Sequence, residues 1–368
     1  MSYYRSFNKI SLLSAALVTS IALVGLQGCK TNSNESSEDK TETDAKVIDI
    51  TSAIFTERSA DCASYANSYE ASVLDIQESV MFEADVLITA DDSECVFTSN
   101  SIPNHDFNDE SANFAEGTAS TAEVALEFTV SRNPEFANTT TDLSQSVKNG
   151  VMLNGVKLDI LSAGCYRPSA GDAGADGNTA IGCLDGSAWL LDPLSTDKKF
   201  GADQHNAHIQ PGGEYHYHGN PKAMFDDFPG SDGSPVIGFA ADGFPIYGSY
   251  FYDEDNGSVR KATSSYQLKQ GDREALYDSY VGEELNPSDN ALNSKEYDGS
   301  YVDDWEYVAG SGDLDECNGM TVDGQYGYYA IDAYPWVIKC FKGTPHESFS
   351  MTGAGGDAGM GPPPFAAP

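Results

Sequence analysis

The sequence predicts a mostly β protein: an antiparallel β-sandwich or barrel-like domain with long loops, cross-linked by disulfides. Apolar and polar residues alternate in three stretches, Val80–Ile88, Val124–Val130 and Val156–Ile160. Residues two apart share one face of a strand, so each stretch is expected to bury one face and expose the other. Frequent Tyr, Phe and Trp favour sheets, and Gly and Pro interrupt the chain at short intervals.

Turns and helices complete this outline. Asn154-Gly155 is typical of a tight turn between two antiparallel strands. Residues 60–79 and 267–280 are helix candidates, although the apolar spacing of the first is irregular. A single domain is expected rather than two divided near Val151, because no linker composition occurs there.

The N-terminus has the organisation of a secretory signal. Arg5 and Lys9 precede an apolar run, Ile10–Leu26, which is short for a bilayer span of about 20 residues. The run ends in Leu26-Gln27-Gly28-Cys29, which resembles the lipobox of bacterial lipoproteins. The resemblance implies that residues 1–28 are a signal peptide and that Cys29 is acylated and anchors the protein to a membrane. The alternative is an ordinary signal peptide that happens to contain a cysteine.

The remaining chain divides by composition. Residues 29–48 are expected to be a disordered tether, 49–350 the folded domain, and 351–368 a disordered Gly- and Pro-rich tail. In enterobacterial lipoproteins, Asp after the acylated cysteine favours the inner membrane. Lys30 occupies that position here, so the expected location is the outer membrane, facing the periplasm or the cell surface.

The net charge of −37, from 57 acidic and 20 basic residues, argues against nucleic acid as a partner and against charge-driven binding to anionic lipid headgroups. A solvated acidic surface explains the composition. Hard cations such as Ca²⁺ also suit such a surface, but no segment has the pattern of a calcium loop.

The chain has seven cysteines, of which Cys29 is assigned to the lipid anchor. An even number in an exported protein predicts three disulfides, and six cysteines allow 15 pairings. The simplest choice is sequential, and no two cysteines have the spacing of a zinc knuckle. The sequential pairs are Cys62–Cys95, Cys165–Cys183 and Cys317–Cys340.

Four of the six histidines fall within His205–His218. His216 and His218 are two apart and are expected on one strand face, with the intervening tyrosines on the other. Pro211-Gly212-Gly213 predicts a turn that brings His208 back beside them. Imidazoles gathered in this way bind Cu²⁺ or Zn²⁺. The alternatives are a metal-free acid–base site and histidines with a purely structural role.

Two carboxylates are candidates to complete such a metal site. Asp203 precedes the histidine segment, and Asp242 lies in the Gly- and Pro-bounded bend Ala240–Pro245. Each carboxylate is a candidate for a fourth metal ligand, or for an outer partner that orients an imidazole N–H. The alternative for both is a turn cap. His105-Asp106 is a more distant candidate in sequence.

The motif Tyr215-His216-Tyr217-His218, preceded by His205-Asn206-Ala207-His208, resembles the YHYH-domain proteins, which are exported bacterial proteins. The resemblance covers most of residues 50–345 and implies no established activity. Many members have Asn where this chain has His205, which favours His208, His216 and His218 as ligands. Further matching segments are Leu153–Val156, Gly238–Gly248, Cys317–Gly319, Tyr334–Trp336, Cys340–Pro345 and, in longer members, Ile102–Asn108.

Three functional hypotheses follow. The first is a cell-envelope protein that binds a divalent transition metal through His208, His216 and His218, with Asp203 or Asp242 as a further group. The second is a surface binding or adhesion module without chemistry. The third is a metal- or His/Asp-dependent hydrolase acting on an extracellular glycan or phosphoester, so enzymatic activity and the identity of any small-molecule or glycan ligand stay open.

Overall fold

The computed structural model describes residues 47–109, 120–168, 178–183, 185–195, 201–290 and 295–351, all within the compact unit formed by residues 45–368. The predictions for the signal segment and for Cys29 concern residues outside these ranges, as do nearly all of those for the tether and the tail. Ile48, which we assigned to the tether, already lies in the first strand. In the ranges described, no helix has the length and apolarity of a membrane span.

The described chain consists mainly of short strands, as predicted from the sequence. Its helical segments are one α-helical turn, α1 (Pro287–Asn290), and three 3-10 turns, Cys62–Tyr65, Val302–Asp304 and Glu347–Phe349. The strands are β1 (Ile48–Asp49), β2 (Asn67–Asp75), β3 (Val80–Ala90), β4 (Glu94–Ser99), β5 (Leu126–Ser131), β6 (Thr141–Asp142), β7 (Gly150–Met152), β8 (Lys157–Leu158), β9 (Gly164–Tyr166), β10 (Thr179–Ile181), β11 (Ala207–Ile209), β12 (Tyr215–Tyr217), β13 (Val236–Ala240), β14 (Pro245–Tyr247), β15 (Tyr250–Asp253), β16 (Ser258–Lys261), β17 (Tyr266–Leu268), β18 (Leu276–Asp278), β19 (Glu283–Leu285), β20 (Trp305–Tyr307), β21 (Gly319–Val322), β22 (Gln325–Tyr329) and β23 (Cys340–Phe341).

The first sheet is a five-stranded meander in the order β1-β2-β3-β4-β5. Its pairs are antiparallel except for β1 and β2. Ala84, Val86 and Ile88 of β3 are buried while the residues between them are exposed, so the alternation in the sequence correctly predicts this strand. One face of the sheet therefore faces the core and the other faces solvent.

The second sheet is a curled, half-barrel sheet of eight strands in the order β11-β12-β8-β7-β13-β14-β22-β21. Two of its pairs, β12 with β8 and β14 with β22, are parallel. The predicted turn at Asn154-Gly155 joins β7 to β8, and Gly155 has φ +80°, a conformation that L side chains rarely adopt. The ranges described also contain five two-stranded sheets.

The two sheets pack face to face around one core. The rings of Phe97 in the first sheet and Phe239 in the second have centroids 6.1 Å apart, and Tyr65 meets Phe239 at 5.8 Å. Residues from both sides of Val151 belong to this core. Truncating a buried Phe to Ala typically costs about 3–5 kcal/mol, so contacts of this kind hold the sandwich together.

Both helix candidates are wrong. Residues 60–79 form a 3-10 turn and β2, in which Ala71, Val73 and Asp75 are buried at intervals of two. Residues 267–280 contribute to β17 and β18, and Gly271 with φ +95° lies between them. In both segments, pairing with a neighbouring strand outweighs any local helical preference.

The prediction that β8 exposes one face to water is also wrong. Lys157, expected in solvent, is completely buried. At this position the ammonium group pairs with the carboxylate of Glu214, whose side chain is also buried.

Disulfides tie the loops to the sheets, and the sequential pairing is confirmed. The bonds are Cys62–Cys95, Cys165–Cys183 and Cys317–Cys340, closing sequence separations of 33, 18 and 23 residues. All six half-cystines are buried.

Candidate metal centre

The histidine cluster is carried by a ribbon of two strands, β11 and β12, at one edge of the eight-stranded sheet. The turn between them has two successive residues with positive φ, Gly212 (+109°) and Gly213 (+91°), which glycine adopts without steric cost. The antiparallel register places His208 directly opposite His216. The expected return of residues 203–208 alongside the Tyr-His-Tyr-His strand is therefore confirmed.

Three imidazole rings converge on one face of this ribbon. Nε2 of His218 lies 3.0 Å from Nε2 of His216 and 3.1 Å from Nε2 of His208. The metal-binding atoms of the three rings all lie within 4.8 Å of one another. The structure thus brings together three of the five residues that the sequence nominated as ligands.

The three rings are buried, and those of His216 and His218 are uncharged at neutral pH. His208, His216 and His218 are only 6%, 3% and 4% exposed. Burial is the main cause that lowers the pKa of His218 to about 3, and the neighbouring His208 lowers it further. Burial also holds the pKa of His216 well below its usual value, with the two other imidazoles next in effect. At neutral pH, His216 and His218 therefore have the uncharged form that binds metals.

Hydrogen bonding assigns the tautomer of His218. Its Nδ1 lies 3.3 Å from the carbonyl oxygen of Ile160, which accepts only, so Nδ1 carries the hydrogen and donates it. The lone pair on Nε2 then points toward His208 and His216. A carbonyl that holds the second imidazole N–H is a usual outer partner of a metal-ligating histidine.

The geometry of the rings fits a bound metal ion after a small outward movement. Nitrogen ligands bind Zn²⁺ at about 2.0–2.1 Å, so two of them in a tetrahedral site are about 3.3–3.4 Å apart. The observed separations of 3.0 and 3.1 Å are slightly shorter. As the rings stand, one lone pair of His218 faces two nitrogens, and Nδ1 of His216 is buried with no hydrogen-bond partner. A cation at the point of convergence would bind the lone pair that His218 directs at the other two nitrogens.

One other group among the described residues has ligand atoms at metal-binding spacing, namely Asp61, Cys62 and Cys95. Both of its sulfurs belong to a disulfide, so it offers no thiolate. It is therefore not a metal candidate.

Two buried ion pairs border the histidines. Lys157 Nζ donates to Glu214 Oε2 at 2.6 Å, and the two side chains are 1% and 2% exposed. Lys148 Nζ donates to Asp159 Oδ2 at 2.8 Å. Removing one partner of such a pair leaves a buried charge and typically costs about 3–5 kcal/mol.

Strand register puts these pairs on the same face as the rings. Leu158 of β8 lies opposite Tyr217 of β12, and partners in a parallel pair point to the same side. Lys157, one residue before Leu158, therefore points to the same side as His216. The alternation of β12 places Glu214 on that side as well.

The tyrosines of the motif face the opposite side, as predicted. Tyr217 Oη donates to Nε2 of His105 at 2.7 Å and accepts from Asn154 Nδ2 at 3.0 Å. The ring of His105 packs on that of His205, with centroids 4.0 Å apart. Burial is the main cause that lowers the pKa of His105 to about 3. His105 and His205 therefore form a second cluster and do not join the three converging rings.

The carboxylate of Asp203 also lies outside the group of converging imidazoles. Its Oδ2 accepts from Tyr215 Oη at 2.6 Å and from the backbone N–H of Asn108 at 3.1 Å. Its Oδ1 accepts from the backbone N–H groups of His205 and Ala207. Asp203 thus caps the entry to β11 and binds a tyrosine on the other face, which is the alternative role considered for it.

Asp242 has a similar structural role. Its Oδ2 accepts from Tyr328 Oη at 2.6 Å and from the backbone N–H of Gly343 at 2.9 Å. These bonds tie the β13–β14 hairpin to β22 and to the segment after β23. The structure does not bring Asp242 to the three rings, so neither nominated carboxylate belongs to the converging group.

Sequence reasoning missed the flanking ion pairs. The position of Glu214 beside the histidines could have been predicted, because Glu214 is two residues before His216 and shares its strand face. Lys157 was not, since its alternation with apolar neighbours indicated a solvent-facing position. Only the pairing of β8 with β12 brings Lys157 to the site.

Comparison with known proteins identifies the family. A family model described as YHYH protein matches residues 127–343, more than half of the chain. The match includes the three converging histidines and two of the three disulfides. Searches of curated proteins and of solved structures gave no match. The chain belongs to the YHYH protein family.

Proposed function

We propose that this protein is a cell-envelope lipoprotein that binds one transition-metal ion, Cu or Zn, through His208, His216 and His218. The observation that carries the proposal is the convergence of three Nε2 atoms, with separations of 3.0 and 3.1 Å to the central His218. Imidazole nitrogens suit both metals.

A metal explains the convergence better than a hydrogen-bonded trio does. Separations near 3.0 Å also suit N–H···N hydrogen bonds. However, His218 donates through Nδ1 and has one lone pair on Nε2, which two neighbours face. If His208 and His216 both carry a hydrogen on Nε2, two donors compete for that lone pair. If either ring does not, its own Nε2 lone pair faces the lone pair of His218. A shared cation removes both conflicts.

The ligand set favours binding over hydrolysis of large substrates. Three protein ligands leave a coordination position open, as in catalytic zinc sites. The rings are 3–6% exposed, which leaves no surface on which a glycan chain could lie against the metal. A hydrolase acting on a polymer is therefore the weaker candidate.

Metal uptake tests the proposal directly. Metal-free protein, purified without a nickel column, should bind one equivalent of Cu²⁺ or Zn²⁺ with micromolar or tighter affinity by calorimetry. His216→Ala should weaken binding by more than about a hundredfold, since even an outer-shell partner is worth about 10- to 100-fold. His346→Ala, which removes a partly exposed histidine outside the cluster, is the matched control.

Elemental analysis of protein from the native envelope identifies the metal. If wild type and His216→Ala bind equally weakly, the three histidines are not metal ligands, which favours a structural role, as in the surface-module alternative, or a metal-free acid–base site. In that case His216→Ala should lower stability without changing metal content.

The envelope location rests on the N-terminal sequence. The apolar run Ile10–Leu26 followed by Leu26-Gln27-Gly28-Cys29 supports acylation at Cys29, and Lys30 supports outer-membrane sorting. Cells given labelled palmitate should incorporate it into wild type but not into Cys29→Ala. Wild type should fractionate with outer membranes, and recovery of unlabelled wild type in the soluble fraction would contradict the anchor.

A further inference from the structure

A cavity of about 290 Å³ lies toward the β21 end of the eight-stranded sheet, at the opposite end from the β11–β12 ribbon. Its lining includes Tyr247 of β14, Tyr329 of β22, Asp323 from the turn between β21 and β22, and Arg58. Pockets that bind small molecules have volumes of about 300–1,000 Å³, so this cavity is at the small end of that range. It suits a molecule the size of an amino acid or a monosaccharide.

Arg58 differs from the other arginines of the described ranges in having no acidic partner there. Each of the others pairs with at least one aspartate: Arg132 with Asp61, Arg167 with Asp278, Arg260 with Asp253 and Asp313, and Arg273 with Asp298 and Asp304. No carboxylate of the described residues forms an ion pair with Arg58. A guanidinium of this kind at a cavity suits an anionic ligand, because its planar fork of N–H groups matches a carboxylate.

Two contacts hold the guanidinium of Arg58 in place. Its Nη1 donates to the carbonyl oxygen of Ser234, and its central carbon lies 5.5 Å from the ring centroid of Tyr247. The other side-chain N–H groups of Arg58 donate to no residue in the part of the chain described. An arginine that is already positioned loses less side-chain entropy when a ligand binds to it.

Two tyrosine hydroxyls line the same cavity. Tyr247 and Tyr329 are partners across the parallel pair of β14 and β22, and their rings stack with centroids 5.3 Å apart. Gly327 leaves room for the ring of Tyr247, since a Cβ there would lie 2.5 Å from its Cε2. Within the described ranges neither hydroxyl has a hydrogen-bond partner, and neither is closed off from solvent. Both O–H groups are therefore available to a ligand.

We propose that this cavity binds a small organic carboxylate, held by the guanidinium of Arg58 and the hydroxyls of Tyr247 and Tyr329. The inference is independent of the metal proposed above. Arginine binds a carboxylate through two parallel N–H···O hydrogen bonds, and a phenol O–H donates to a carboxylate oxygen. The cavity thus supplies donors, and the two carboxylate oxygens supply the acceptors.

Asp323 is expected to select among carboxylates. Its exposed side chain lines the same cavity without pairing with Arg58. Its negative charge disfavours a ligand with two carboxylates and favours one that also carries an ammonium group. An α-amino acid and an acidic monosaccharide share the recognised carboxylate, and they differ in whether Asp323 contributes to binding.

Paired ligands test the inference on metal-free protein, in which no ligand carboxylate can bind a metal at the histidines. D-glucuronate is compared with D-glucose, and L-leucine with L-leucinamide, by saturation-transfer NMR and calorimetry. The members of each pair have similar shapes, but only the first has a carboxylate. We expect at least one carboxylate to bind with a millimolar or lower Kd, and its counterpart to bind at least tenfold more weakly. Binding of glucuronate alone identifies an acidic sugar, and binding of leucine alone identifies an amino acid.

Variants locate the binding in the cavity. Arg58→Gln removes the charge and should weaken binding at least tenfold, and Tyr329→Phe removes one donor and should weaken it about threefold. Lys222→Gln is the matched control. It removes an exposed positive charge that lies 3.8 Å from Asp332, and it should leave the Kd unchanged.

The outcomes are distinct from those for the metal. The inference is overturned if neither carboxylate binds at about 10 mM, if each binds no better than its counterpart, or if Arg58→Gln binds as tightly as wild type. If Arg58→Gln does not fold, Tyr329→Phe and the paired ligands on wild type decide the question. Failure to take up metal leaves the carboxylate site unaffected, and failure to bind a carboxylate leaves the proposed function unaffected.

Discussion

Replacing His105 with Gln tests whether the second histidine cluster is buried and neutral. The His105 ring is 5% exposed, its Nε2 accepts from Tyr217 Oη, and its Nδ1 donates to the carbonyl of Asp106. Burial, and next the neighbouring His205, lower its pKa from 6.5 to about 3. Gln keeps a polar group near the Nε2 position and does not titrate, so the variant lacks the pH-dependent contribution of His105.

The direction of the pH dependence of stability follows from whether the folded or the unfolded state binds the proton. Below pH 6.5 the unfolded chain protonates His105 while the folded protein does not, until the pH approaches 3. The contribution of His105 to stability is therefore complete above pH 6.5 and is lost as the pH falls. At pH 5.0 the loss is 1.36 kcal/mol for each of 1.5 pH units, or about 2 kcal/mol.

The assay is urea unfolding of metal-free wild type and His105→Gln at pH 8.0 and 5.0. The stability advantage of wild type over the variant should be smaller at pH 5.0 by about 2 kcal/mol. Tyr217→Phe is the control, since it removes the hydrogen bond but keeps the buried imidazole. Its difference from wild type should not change between the two pH values. An advantage of wild type over His105→Gln that is the same at both pH values would refute the burial argument.

Three further predictions concern the ion pair, a disulfide and the metal. Lys157→Met alone should cost about 3–5 kcal/mol in urea unfolding, whereas its combination with Glu214→Leu should be near neutral; equal losses in the two variants would show that the cost does not come from a lone buried carboxylate. Removing the Cys317–Cys340 bond, which closes a separation of 23 residues, should cost about 3.4 kcal/mol in the same assay; no loss would show that the unfolded chain is already constrained. A metal at 100 times its Kd should stabilise the metal-free protein by about 2.7 kcal/mol in thermal unfolding, and this gain should disappear in His216→Ala; a gain that persists would place the metal elsewhere.

Local features of the site were accessible from the sequence. The spacing of His216 and His218 fixes them on one strand face, because alternate side chains of a strand point the same way. The glycine pair after Pro211 fixes the turn that returns His208 to them, since two successive residues there need positive φ. The order of the cysteines also suggested the pairing that the structure contains.

Long-range features were not accessible in this way. The sequence offered Asp203 and Asp242 as partners of the histidines, and both instead bind tyrosine hydroxyls away from them. It also indicated a solvent position for Lys157, which the structure buries beside His216. These outcomes depend on which distant strands become neighbours.

The sequence by itself determined the strand character of the chain, the hairpin that carries the three histidines and the resemblance to the family, whereas it only suggested the cysteine pairing that the structure contains. Only the tertiary structure decided which charges lie near those histidines, namely the ion pairs Lys157–Glu214 and Lys148–Asp159 rather than the nominated aspartates. The physical reason is the separation along the chain over which each effect acts. Backbone sterics set alternation and turns within a few residues, whereas the neighbours of a buried ring follow from strand order, in which β8 and β12 meet across more than 50 intervening residues.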